Sequence, residues 1–161
     1  MTTGTLKVFA QGERELVITR EFDAPRHLVF EAFTRPEHLR RWLGGLPGWE
    51  MTVCDMDVRV GGKYRWVWKS SDGHSMGMSG EYREVSPPDR LVSTEKFDES
   101  WYPGTAVGTI VLTERGGRTT LTQTMLYDSR EARDAVVASP MEEGVGVSYD
   151  RLEEVVRGLA G

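Results

Sequence analysis

Apolar and polar residues alternate with period two over most of the middle of the chain, and with a helical period near both ends. Glu15–Phe22 (ELVITREF) sets β-branched residues against charged ones and reads as a first strand. Asp23-Ala24-Pro25 then opens a helix whose apolar face is Leu28, Val29, Ala32 and Phe33. Pro36 begins a second short helix with Leu39, Trp42 and Leu43 as its stripe, ended by Gly44-Gly45-Leu46-Pro47-Gly48. Strands are expected over Trp49–Asp57, Lys63–Lys69, Met76–Val85, Arg90–Phe97, Thr105–Glu114 and Arg118–Tyr127. They are punctuated by Gly61-Gly62, Ser70-Ser71-Asp72-Gly73, Pro87-Pro88-Asp89, the loop Glu99–Gly104 and Gly116-Gly117. Ser129 caps a short helix (REARDAVVA), and Ser139-Pro140-Met141-Glu142 matches a capping box. The last helix, to about Leu159, places Val145, Tyr149, Leu152, Val156 and Leu159 on one stripe, with Glu153 and Arg157 paired on the outer face.

Segregated strands and helices predict an α+β domain, an antiparallel sheet of about seven strands with helices on one side. Such a sheet curls, and one helix about 10 Å wide does not fill its concave face. The remaining volume is either filled by large side chains or left as a pocket. The expected lining from the strands is Tyr64, Trp66 and Trp68, Met76, Met78 and Tyr82, and Glu95 and Phe97. The loop adds Trp101, and the last helix adds Tyr149 and Leu152. Three amphipathic aromatics on one strand favour a pocket, because each N–H or O–H requires a partner. Glu95 shares strand parity with Leu91 and Phe97. If it points inward it is either paired, with Arg65 or Lys96 at a rim, or has a raised pKa. A bulge would instead leave it in solvent.

Composition narrows the function. Of 161 residues, 39% are apolar and 28% charged, which suits one globular domain over residues 14–161 preceded by a flexible arm over 1–13. A net charge of −5 disfavours nucleic acid and anionic membrane as partners. Cys54 is the only cysteine and reads as a small buried hydrophobe; with no signal-like N-terminus and no membrane-length apolar run, a cytoplasmic location is expected. His27, His38 and His74 are scattered, and Asp55 and Asp57 lack a third ligand, so neither a metal site nor a cofactor site is expected. No catalytic set is legible. Gly144 and Gly146 in the last helix indicate close packing on the sheet, or extra room at a pocket mouth.

Phe22–Phe33 (FDAPRHLVFEAF), Pro36–Trp42 (PEHLRRW), Gly61–Tyr64 (GGKY), Gly80–Val92 (GEYREVSPPDRLV), Ser129–Ala135 (SREARDA) and Met141–Leu152 (MEEGVGVSYDRL) occur in the order seen in one family. In this ordered set the chain resembles the AHSA-type branch of the START-like (SRPBCC) superfamily, homologues of the activator of heat-shock-protein-90 ATPase. The resemblance implies a helix-grip fold, in which a curved sheet wraps a long C-terminal helix. It also implies a small hydrophobic or aromatic ligand, such as a lipid, polyketide or flavonoid-like molecule, held between sheet and helix. Two alternatives stand beside this. One is a protein-interaction module that stimulates a chaperone ATPase or forms a homodimer. The other is a cyclase- or hydrolase-like enzyme using Glu95, His74 or Tyr149 as proton carriers. Many relatives carry aromatics at the positions of Ser93 and Glu95, so a roomier and more polar cavity is expected here.

Overall fold

The computed structural model describes residues 5–44, 47–99, 102 and 104–161. In chain order the elements are β1 (Lys7–Gln11), β2 (Glu15–Phe22), α1 (Arg26–Thr34), α2 (Pro36–Leu43), β3 (Trp49–Met56) and β4 (Lys63–Ser70). They continue with β5 (Ser75–Ser86), β6 (Arg90–Phe97), β7 (Ala106–Arg115), β8 (Arg118–Tyr127), α3 (Arg130–Ala138) and α4 (Met141–Ala160). The strands form one antiparallel sheet in the order β1-β2-β8-β7-β6-β5-β4-β3. It curves around α4, with α1 and α2 packed against that helix. This is the helix-grip fold.

Eight strands stand where about seven were expected. The additional one, Lys7–Gln11, lies within the stretch read as a flexible arm and pairs with β2 from Lys7↔Thr19 to Gln11↔Glu15. Its apolar signal is weak because Phe9 faces solvent and only Val8 reaches the core, so backbone hydrogen bonds rather than buried side chains hold it. The β7–β8 hairpin follows its sequence signal. Gly116 and Gly117 both have positive φ, at 60° and 75°, and form a two-residue loop closed by Arg115↔Arg118, which suits the strand twist.

Helix ends divide between expectation and correction. Ser129 caps α3, its Oγ accepting from the Ala132 N–H at 3.1 Å. The capping box expected at Ser139 is absent: Pro140 is the N-cap of α4, and the Ser139 hydroxyl instead donates to the Val136 carbonyl at 2.5 Å. Two helices meet within three residues there, and the hydroxyl satisfies the end of the first rather than the start of the second.

The inward face of β2 is Leu16, Ile18, Arg20 and Phe22, so a charged residue occupies an apolar row. Arg20 is 1% exposed and pairs with Asp150 at 3.3 Å and Glu153 at 3.4 Å, its guanidinium lying 4.9 Å from the Phe22 ring centroid. Glu153 does reach Arg157, at 3.1 Å, but it is buried rather than on an outer face and also accepts from the Asp23 N–H at 3.1 Å. This network ties α4 to the end of β2. Burial lowers the Arg20 pKa, and the two carboxylates oppose that shift.

Candidate ligand site

Strand register defines the concave face row by row. One row runs Met56, Tyr64, Gly80 on β3 to β5 and Glu95, Ala106, Tyr127 on β6 to β8, the Met78↔Phe97 register setting Gly80 beside Glu95. The row on one side is Cys54, Trp66, Met78 and Phe97; on the other it is Tyr82, Ser93, Gly108 and Met125. Glu95 therefore points inward, with Gly80 and Ala106 as its immediate cross-strand neighbours. A methyl group at Gly80 would meet the Tyr64 ring at 2.5 Å, so that ring lies across the glycine and its hydroxyl donates to the Thr94 carbonyl at 2.7 Å. Glycine here allows a close approach that any side chain would block.

Burial of Glu95 pushes its carboxyl up to about 7. It makes no hydrogen bond or ion pair among the described residues. Arg65, one partner expected for it, is on the outer face and forms a bidentate pair with Asp98 at 2.6 and 2.7 Å; Lys96 is exposed. The Glu95 charge also raises the pKa of Tyr64, Tyr102, Tyr127 and Tyr149, in each case after burial as the larger cause. Register puts Tyr64 and Tyr127 in the row of Glu95, each two strands away, and the charge of the acid acts on all four phenols. Tyr64 and Tyr149 belong to the main apolar cluster, Tyr102 and Tyr127 to a second one beneath α3, so Glu95 lies at the seam between the two.

Accessibility separates this region from the rest of the concave face. Ser93, Glu95, Phe97, Gly108 and Gln123 face inward yet remain partly accessible, while Tyr64, Met78, Tyr82, Ala106, Met125 and Tyr127 in the same rows are buried. Leu112, Leu121, Leu152 and Val156 are sealed. Trp66 is partly accessible, but its indole N–H is buried without a partner among the described residues. Tyr149 donates to Gln123 Oε1 at 2.5 Å and packs against Phe22, Phe33 and Trp42.

Of the expected lining, Tyr64, Trp66, Met78, Tyr82, Glu95, Phe97 and Tyr149 gather on the inner face around this seam. Trp68 is on the same face but is part of the packing, its indole N–H donating to the Leu43 carbonyl at 2.8 Å; Leu152 is sealed within the main apolar cluster. Met76 has the right parity but is 42% exposed, because β6 ends at Phe97 opposite Met78 and no strand covers the next row. Trp101 lies outside the described residues. His74 is exposed at the β4–β5 turn, 3.7 Å from Asp72. Cys54 is buried, its thiol pKa raised mainly by burial. Among the described residues no three His, Cys, Asp or Glu side chains are grouped to hold a metal ion. Gly146 is buried, while a side chain at Gly144 would meet open space. Tyr127 and Gln123 went unread: β8 is rich in Thr, and only its pairing with the inward row of β7 reveals which residues face the helix. Two open depressions of about 510 and 520 Å³ lie elsewhere, one on the convex face at Asp55, Lys63 and Arg65, the other at Leu6 and the first turn of α4.

A helix-grip domain with an unpaired acid beneath its long helix is the class defined by these features. The family model for Activator of Hsp90 ATPase homolog 1-like protein matches residues 23–157, and the chain belongs to that family. A crystal structure of a Rhodobacter sphaeroides protein is similar at 31% identity and a TM-score of 0.89, covering 96% of this chain and 99% of that one. A Nitrosomonas europaea protein follows at 26% identity and 0.80, covering 93% and 98%. The Mycobacterium smegmatis protein Ms6760, at 24% identity and 0.78 over 93% and 97%, shares the fold. No curated protein matches the chain.

Proposed function

We propose that the chain binds a small hydrophobic or aromatic molecule between the sheet and α4, around Glu95, Trp66, Phe97 and Tyr149. The observation that carries this is the partial accessibility of inward-facing residues beside an acid without a partner. A packed core excludes both, since an unpaired buried carboxyl is costly and interior side chains are normally sealed. Ser93, a small residue where a larger side chain would fill the inner face, leaves room beside Glu95. Trp66 offers an unused donor to a ligand or a water molecule. Ligand pockets of this kind are mostly apolar with a few convergent polar groups. The protein acts as a carrier or sensor in the cytoplasm rather than as an enzyme with a cofactor. Tryptophan fluorescence, titrated with lipids, flavonoids and polyketides, tests the reading, together with native mass spectrometry of what copurifies. Saturable quenching or a retained small molecule is expected. Absence of both over the whole panel contradicts it.

The family match favours one second reading, stimulation of a chaperone ATPase through direct contact. Capture of the 90-kDa heat-shock protein with an increase in its ATPase rate is the expected result. No change in rate at saturating protein removes it.

A further inference from the structure

We propose that the ligand carries a protonated amine or other organic cation on an apolar body, and that Glu95 is its counter-ion within a wall of aromatic rings. This rests on the reading of the concave face as a ligand cavity, and names the head group that the cavity takes.

The argument begins with what Glu95 lacks. A buried carboxylate normally has a cation beside it, as Glu153 of α4 has Arg20. Glu95 has none: no basic group contributes to its titration, and burial alone shifts it. Every cation near it is engaged or turned away. Arg20, on β2, is held by Asp150 and Glu153 and has no electrostatic effect on Glu95; Arg65, on β4, pairs with Asp98; Lys96, the next residue on β6, faces solvent. The groups that face Glu95 from the surrounding elements are phenols: Tyr64 of β4, Tyr127 of β8, Tyr149 of α4, and Tyr102. Gly80 of β5 and Ala106 of β7, its cross-strand neighbours, carry no charge.

That surface suits a cation better than any other head group. The faces of tyrosine and tryptophan rings attract positive charge, and an ionised carboxylate among them adds a direct ion pair. A ligand carboxylate or phosphate would meet repulsion from Glu95 and no fixed cation. A neutral head would leave an ionised Glu95 buried without compensation. An amine removes that cost, and in doing so draws the Glu95 pKa down from about 7, so binding releases a proton near neutral pH.

The test uses one apolar body with three heads: 4-butylbenzylamine, 4-butylbenzyl alcohol and 4-butylbenzoate, titrated by calorimetry into the full chain at pH 8.0 and pH 5.5. The amine stays protonated throughout this range. At pH 8.0 the amine is expected to bind roughly tenfold or more tighter than the alcohol, with the benzoate weakest. At pH 5.5, with Glu95 protonated, the preference for the amine shrinks, and in Glu95→Gln it is lost at both pH values while the alcohol still binds. The wild-type series at two pH values decides the matter even if the variant folds poorly. Equal binding of amine and alcohol, or tighter binding of the benzoate, overturns the assignment of a cationic head and leaves the cavity reading in place. An amine preference that persists in folded Glu95→Gln overturns the role of Glu95. If none of the three binds, both readings fall.

Discussion

The two ends of the concave face are built from the same strands and covered by the same helix, yet they differ in kind. Toward the end of β2 and the C-terminal half of α4, Leu112, Leu121, Leu152 and Val156 are sealed and the charged residues are paired across 3.3–3.4 Å. Toward Glu95 and Trp66, several inward residues are partly accessible, and among the described residues an acid has no counter-ion and an indole N–H has no acceptor. The first end has the ion-paired charges and close packing of a core that supplies stability, although Arg20 Nε and Nη1 and Asp150 Oδ1 make no hydrogen bond among the described residues. The second retains unmet interactions, which cost stability in the free protein and become available to a ligand. Stability and function are thus separated along one sheet.

The largest expected effect lies at the sealed end. Arg20→Ala removes the buried cation shared by Asp150 and Glu153, leaving Glu153 only Arg157 and the Asp23 N–H, and should cost about 3–5 kcal/mol, read as a drop in the urea midpoint; a loss below about 1 kcal/mol would show that the network is not structural. Leu152→Ala opens a cavity in the main apolar cluster, with an expected cost of about 2–5 kcal/mol by thermal or chemical unfolding. A Leu152→Ala protein as stable as the parent would mean that this end is not close-packed.

The Glu95 end reverses the sign. Its folded pKa of about 7 stands above the ordinary 4.5, so the native state holds the proton more tightly than the unfolded chain. Stability from this group is complete below pH 4.5 and is lost as pH rises through about 7. Glu95→Gln should remove that dependence and stabilise the free protein at pH 8 by roughly 1–3 kcal/mol relative to wild type, allowing for partial access of solvent. A wild-type pH–stability profile that is flat between pH 5 and 8, or that rises, contradicts a buried unpaired acid. The smallest contrast compares two indoles of one strand. Trp68→Phe loses the bond to the Leu43 carbonyl and should cost about 1 kcal/mol, whereas Trp66→Phe deletes an unused donor and should be close to neutral. Equal losses at both positions would show that the Trp66 N–H is not an unused donor.

Most element boundaries were legible because period and punctuation are local properties. Arg90–Phe97 and Arg118–Tyr127 match residue for residue, and Gly116-Gly117 makes the turn its composition indicates. β1 was not legible, since a strand held by backbone pairing at a sheet edge needs little apolar signal. The inward aromatic row of β4 could be read from alternation, but three of its consequences could not. Trp68 became core because α2 brought the Leu43 carbonyl to its N–H, Met76 was uncovered because β6 stopped short, and Tyr127 joined Glu95 only through two intervening strand pairings.

Residue order alone determined the sequence of strands and helices, the apolar stripe of α4 and the parity that allows Glu95 to face inward. Tertiary structure decided whether that carboxyl met a cation, a phenol or water, because most of the groups concerned are distant in sequence and are brought together by sheet register and helix docking rather than by spacing along the chain. Arg20 found Glu153, while Glu95 found only Tyr64, Tyr102, Tyr127 and Tyr149. Both are charged residues on inward rows of the same sheet, and only long-range packing distinguishes a structural ion pair from an acid that lacks one among the described residues.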